Sequence, residues 1–292
     1  MNDTIRPRRS VLYMPGSNQR ALEKAKELAA DALILDLEDA VAPEAKAEAR
    51  DQVCAAVTAG GYGKREIVIR INSLDTPWGD DDLAAAAKAG PDAILVPKIS
   101  SAAAVKDVET KLDAANAPKD LKIWSMMETP LGILHAEEIA AATPRQTCWV
   151  MGTNDIAKDM HAAHTPMRLP MITSLGLCML AASAYGLTIL DGVYNDIKNE
   201  EGFAATCQQG LELGFDGKTL IHPSQLGPCN EIFAPKADEV TFAKAIIAAF
   251  EAPENQGKGV IKVEGKMVEL LHRDQALRTV AIANAIADME TA

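Results

Sequence analysis

Two carboxylates stand just past the ends of consecutive apolar runs, Glu128 in WSMMETP and Asp155 in WVMGTND. If those runs are neighbouring strands, their exits lie about 5 Å apart. Two carboxylates that close repel each other unless a cation lies between them. Mg²⁺ suits the pair, because it takes oxygen ligands and keeps several waters or substrate oxygens in its shell; Mn²⁺ is a possible substitute. The competing reading makes each acid a cap for the helix that follows. Arg70, in VIRINS, leaves another apolar run, where its planar fork matches a carboxylate or a developing oxyanion. An ion pair with Glu38 or Asp39 explains it equally well. Those two acids lie in LILDLEDAV, whose alternation puts Asp36 and Glu38 on one face of an extended strand and Leu35 and Leu37 on the other. Arg20 and Lys24 follow the PGSN turn, where a helix N-terminus and backbone amides can help hold a phosphate. HAAH at 161–164 is a weaker signal that fits a polar loop better than a metal site. Neither GxGxxG nor GxxxxGK[ST] occurs, so nucleotide-fold readings have no support.

The elements that must position these groups form a repeating pattern. Short β-branched or apolar runs occur at 10–14, 32–37, 66–71, 93–97, 122–127, 147–151, 187–191 and 218–222. Between them lie helical stretches at 18–29, 43–59, 79–89, 101–115, 132–142, 167–185 and 199–213, several ending at glycine. Alternating β and α units predict a parallel sheet, and eight of them predict a closed α/β structure, a TIM (β/α)8 barrel. The strand exits carry Pro15-Gly16, Glu38-Asp39, Arg70 and Asn72, Pro97-Lys98, Glu128, Asn154-Asp155, Asp191 and His222. A barrel of this type builds its active site there. The barrel domain is expected over residues 1–235. Residues 236–292 read as a C-terminal helical extension and lid: an amphipathic stretch near 238–251, the loop APENQGKG, then a strand or hairpin and a last helix.

A chain of 292 residues with 48% hydrophobic content can bury a large core. The net charge of −12 and a pI near 4.9 argue against nucleic acid or an anionic membrane as partner. Residues 1–26 are a locally basic exception, with Arg6, Arg8, Arg9, Arg20, Lys24 and Lys26 against Asp3 and Glu23. The five cysteines are scattered without a CxxC pair, which speaks against a disulfide framework or structural zinc and for a reducing cytoplasm. No apolar segment follows MNDTIRPRRS as a signal peptide requires. Residues 169–190 carry no charge and are long enough to span a bilayer. They hold Pro170, Gly176 and Gly186, however, and a buried helix feeding a buried strand is the expectation.

The motifs RRSVLYMPGSN, DALILDLEDAVAPEAKAEAR, VIRIN, ILVPKI, METPLGI, MGTNDIAKD and DGKTLIHPSQL occur in that order. Over residues 8–285 the chain resembles the citrate lyase beta subunit and malyl-CoA lyase family of the HpcH/HpaI aldolase group, which includes malyl-CoA thioesterase-like members. The resemblance implies a TIM barrel, a homotrimer or homohexamer, Mg²⁺, and a substrate carrying coenzyme A. By position it implies that Glu128 and Asp155 hold the metal, with Glu128 also facing substrate. Arg70 would hold the keto-acid oxygen, Glu38 and Asp39 would hydrogen-bond the metal's waters, and Lys24 and Arg20 would meet the coenzyme A phosphates. VEGKMVELL resembles a lid that closes over a neighbouring subunit's site. The family usually has GKMID or GSMID there, with Asp as the catalytic acid/base; this chain has Glu269. The reaction expected first is reversible cleavage of (3S)-malyl-CoA or a related 3-hydroxyacyl-CoA to acetyl-CoA or propionyl-CoA and glyoxylate. The alternatives are hydrolysis of the malyl-CoA thioester to malate and CoA, and service as the beta subunit of a citrate lyase complex.

Overall fold

The computed structural model describes residues 5–291. Eight parallel strands pair in chain order: β1 (Ser10–Pro15), β2 (Ala32–Asp36), β3 (Glu66–Arg70), β4 (Ala93–Val96), β5 (Lys122–Met127), β6 (Gln146–Met151), β7 (Thr188–Asp191) and β8 (Gly217–Leu220). Strand β8 returns to β1 and closes the barrel, so the TIM (β/α)8 expectation holds. Each strand is buried on both faces, which is why its sequence is a nearly continuous apolar run. Side chains of one parity fill the barrel interior: Val11, Ala32 and Ile34, Val68, Ala93 and Leu95, Trp124 and Met126, Cys148 and Val150, and Leu190. Those of the other parity, such as Leu33, Leu35, Ile69, Ile94 and Trp149, pack outward under the helices. Complete burial of each such side chain contributes about 1.5–3 kcal/mol.

Following the interior parity toward the strand exits leads from Ile34 to Asp36, from Val68 to Arg70, from Met126 to Glu128 and from Val150 to Gly152. The alternation that fills the interior with apolar groups therefore carries the polar ones to the C-terminal mouth. Helices α1 (Gln19–Lys24), α2 (Lys46–Ala59), α3 (Gly79–Ala89), α4 (Ala102–Ala114), α5 (Pro130–Leu134), α6 (Ala136–Ala140), α7 (Thr153–Asp159), α8 (Ile172–Tyr185), α9 (Glu200–Leu213) and α10 (Leu226–Phe233) connect the strands or follow them. The stretch expected as one helix at 132–142 is two, broken at His135, which adopts φ −99 and ψ 16. Helices α7 and α10 were not expected. TNDIAKD has too few apolar residues to show a helical period, and the LGPC opening of α10 reads as a breaker although Pro228 is tolerated in a first turn.

The uncharged 169–190 stretch divides into a 3-10 turn at Leu169–Met171, helix α8, and strand β7, with Gly186 at φ 69 between the last two. Among the described residues no helix is long and apolar enough to cross a membrane. The chain separates into two compact units. The barrel is Arg8–Phe233, and among the described residues 234–291 group with 5–7. The C-terminal unit contains α11 (Ala237–Glu251), the antiparallel hairpin β9 (Val260–Val263) with β10 (Lys266–Glu269), and α12 (Leu270–Glu290). Ile246, Phe250, Ile261, Val263 and Val268 belong to its own apolar cluster. The hairpin turns on Glu264 and Gly265, both at positive φ (47 and 84), the conformation a two-residue turn needs to match strand twist.

Candidate active site

Arg70 ends β3 directly opposite Asp36, which ends β2. Its Nε donates to Asp36 Oδ1 at 2.6 Å and its Nη2 to Oδ2 at 2.7 Å, a bidentate pair with side chains only 7% and 1% exposed. Nη1 remains, directed at Glu38 Oε2 (2.8 Å) and Asp39 Oδ2 (3.2 Å). The guanidinium carbon lies 4.8 Å from the centroid of the Tyr13 ring. The ion pair anticipated with Glu38 or Asp39 is present, but the dominant partner is Asp36. Asp36 also accepts the Glu38 and Ala40 N–H groups at 2.9 and 3.1 Å, so it turns the chain out of β2 as well as fixing Arg70. Lys46 secures the same loop by donating to the carbonyls of Leu37 and Glu38. Burial pushes the Glu38 carboxyl up to about 8; the Arg70 cation opposes this, while the charges of Asp39, Glu128 and Asp36 add to it. Asp39 is exposed at the rim.

Glu128 follows β5 and is 2% exposed. Capping does not explain it, because Thr129 is the N-cap of α5 and accepts the Gly132 N–H. Nor is Asp155 a cap: the N-cap position of α7 is Gly152, and Asp155 sits in the first turn, where the helix dipole favours a negative charge. Strands β5 and β6 are neighbours, as expected. Gly152 is where their exits crowd together. A Cβ at that position would lie 2.5 Å from Glu128 Oε2 and closer still to Glu128 Cβ, so the missing side chain makes the space that the carboxylate occupies.

Lys98 joins the two acids. Its backbone N–H donates to Glu128 Oε1 at 2.7 Å, and its ammonium lies 3.3 Å from Asp155 Oδ1. Burial pushes the Glu128 carboxyl up to about 7; the Lys98 N–H opposes the shift and the Asp155 charge adds to it. The Lys98 and Arg70 charges also oppose the shift, and two acids this close favour a cation between them. Among the described residues there is no cluster of three or more His, Cys, Asp and Glu suited to a metal. The all-oxygen pair of Glu128 and Asp155 fits Mg²⁺, which needs few protein carboxylates, and not zinc, which favours nitrogen and sulfur.

Arg20 and Lys24 are exposed one helical turn apart on α1, so they share a face. Glu269, in the C-terminal unit, is exposed at the end of β10, and its own N–H donates to His272 Nδ1 at 2.9 Å. His161 and His164 are exposed in the segment after α7. Two of the polar groups at the strand exits have structural partners. Asp191 is fully buried between Arg168 (2.6 Å) and Lys218 (2.8 Å), and Asn72 is committed to Asp82 and the Leu37 carbonyl. The site residues that sequence reasoning missed are Tyr13, Gly152 and the bridging role of Lys98. Interior parity alone would have placed Tyr13 and Gly152.

Residues 9–223 match the family model described as HpcH/HpaI aldolase/citrate lyase. The chain is 53% identical over 281 residues to a (3S)-malyl-CoA thioesterase of Cereibacter sphaeroides (strain ATCC 17025), covering 96% of each chain. It is 35% identical over 269 residues to the citrate lyase subunit beta of Escherichia coli (strain K12), covering 90% of this chain and 89% of the other. In fold it resembles the CitE protein of Mycobacterium tuberculosis solved with magnesium, acetoacetate and coenzyme A, with a TM-score of 0.74 and 29% identity over 94% of this chain and 97% of that one. Seven ordered motifs, a closed barrel and an acidic cluster at its mouth thus agree with similarity along nearly the whole length, and the chain belongs to the HpcH/HpaI aldolase/citrate lyase family.

Proposed function

We propose that this protein is a Mg²⁺-dependent hydrolase of (3S)-malyl-CoA that releases malate and coenzyme A. The observation that carries the reading is graded similarity. Identity is 53–54% over 96% of each chain to proteins named (3S)-malyl-CoA thioesterase, and 35–36% to citrate lyase beta subunits. This reverses the order drawn from the sequence, which put carbon-carbon cleavage first.

Glu128 and Asp155 hold the cation, which when bound supplies Lewis-acid polarisation of the substrate's oxygens. Glu128 faces the substrate as well, and Glu38 and Asp39 hydrogen-bond the waters around the site. As water adds to the thioester carbonyl, the developing oxyanion is held by Arg70, whose orientation Asp36 has already fixed. The C–S bond then breaks, coenzyme A leaves as the thiol, and the malyl group leaves as a carboxylate. Arg20, through its planar fork, and Lys24, as a point charge, take the coenzyme A phosphates from exposed positions on α1. Glu269 serves as the general base that takes the proton of the attacking water, brought by the C-terminal lid of a neighbouring subunit in a homotrimer or homohexamer. The location is the cytoplasm.

Carbon-carbon cleavage to acetyl-CoA and glyoxylate is the second reading, favoured by the match to the M. tuberculosis protein solved with acetoacetate and coenzyme A. One assay separates the two. With (3S)-malyl-CoA and Mg²⁺, free thiol and glyoxylate are followed together; thiol without glyoxylate is expected, and glyoxylate without thiol would sink the hydrolase.

A further inference from the structure

Lys98 contacts both acids of the site through different parts of itself. Its main chain orients Glu128, by the N–H donated to Oε1 at 2.7 Å, and its side chain neutralises Asp155 from 3.3 Å. The backbone holds φ 55, a left-handed conformation that residues other than glycine, asparagine and aspartate rarely adopt. That conformation is what directs the N–H and the ammonium to two neighbouring carboxylates at once. The side chain is 46% exposed, so its flexible four-carbon stem has solvent to move into while the main-chain hydrogen bond stays in place.

We propose that Lys98 is a built-in counter-ion for the Glu128–Asp155 pair. Its ammonium stands in for the divalent cation at Asp155 and must withdraw when one binds, so Lys98 sets how tightly the site holds metal. The inference rests on Glu128 and Asp155 being the metal-holding carboxylates, and is indifferent to whether the reaction is hydrolysis or carbon-carbon cleavage. A dication held by the pair would compete with the ammonium for the Asp155 carboxylate, and would be repelled by that ammonium until the side chain leaves. Both effects weaken metal binding. The backbone N–H does the opposite service, since it keeps Glu128 aimed whether or not metal is present.

The test is calorimetric titration of the full-length protein with Mg²⁺ alone, together with thermal melts at zero and saturating Mg²⁺, for wild type, Lys98→Met, Lys98→Gln, Lys98→Arg and Glu128→Gln. Lys98→Met and Lys98→Gln are expected to bind Mg²⁺ about three- to tenfold more tightly than wild type, the range for removing a partly screened like charge. Without metal they should melt at a lower temperature than wild type, and saturating Mg²⁺ should narrow the gap. Lys98→Arg, which keeps the charge, should bind as weakly as wild type. Unchanged or weaker Mg²⁺ binding by the folded Met or Gln variant, or an Arg variant as tight as they are, overturns the counter-ion role and leaves the metal assignment standing. If wild type does not bind Mg²⁺, or Glu128→Gln binds it as wild type does, the metal assignment fails and this inference fails with it.

Discussion

Gly152→Ala displaces Glu128 without removing any functional group. The backbone at 152 has φ −94, a negative value that alanine can adopt, so the effect comes from the added methyl alone. That methyl would sit 2.5 Å from Glu128 Oε2. Restoring an ordinary contact of about 3.5 Å requires a relative shift of about 1 Å. Glu128 has little freedom to give way: it is buried, and Lys98 N–H holds its other oxygen. A misplacement of about 1 Å at a reacting centre costs on the order of 10²-fold in rate. Overpacking adds a stability loss of about 1–3 kcal/mol. The assay is kcat/KM for thiol release from (3S)-malyl-CoA at saturating Mg²⁺, with urea unfolding to show that the variant is folded. A folded variant with unchanged kcat/KM would refute the claim that the position of Glu128 governs turnover.

Further expectations concern the same cluster. Glu128→Gln or Asp155→Asn should abolish Mg²⁺-dependent turnover; measurable activity restored by higher Mg²⁺ in both would contradict a two-carboxylate site. Mg²⁺ affinity, followed by calorimetry, should strengthen as pH rises from about 6 to 8, because a proton competes for Glu128. The stability sign follows from the same carboxyl. Its folded pKa of about 7 lies above that of an unfolded Glu, so it favours folding at low pH and this contribution is lost as pH rises through about 7; Mg²⁺ should restore it. Arg70→Met should cost about 3–5 kcal/mol in chemical denaturation, because it leaves the buried Asp36 charge unpaired. Glu269→Gln should lower turnover while leaving Mg²⁺ affinity unchanged, and a wild-type rate would remove Glu269 from the reaction.

How much of this was legible in the sequence depended on whether the signal was periodic or relational. The strands were readable because burial on both faces demands continuous apolar runs, and Arg70, Glu128 and Asp155 were readable as charged groups that close such runs. The principal partner of Arg70 was not. Asp36 and Arg70 become neighbours through the β2–β3 register, which neither segment encodes alone. Asp191 gave the same exit signal as Glu128, yet the structure buries it between Arg168 and Lys218, which come from other parts of the chain. Lys98 was visible only as a polar residue after ILVP; its left-handed backbone, which makes it a bridge, leaves no trace in residue type. Helix α7 was missed because seven largely polar residues carry no period, although it is the element that places Asp155.

The central claim is that water, and not carbon-carbon cleavage, resolves the malyl thioester at the Glu128–Asp155 site. The most direct measurement is mass spectrometry of the products formed from (3S)-malyl-CoA with Mg²⁺ in ¹⁸O-labelled water. Hydrolysis predicts free coenzyme A and malate carrying one heavy oxygen in the carboxylate that replaces the thioester, with no reaction in the Glu128→Gln variant. Acetyl-CoA and glyoxylate as products, without labelled malate, would contradict it.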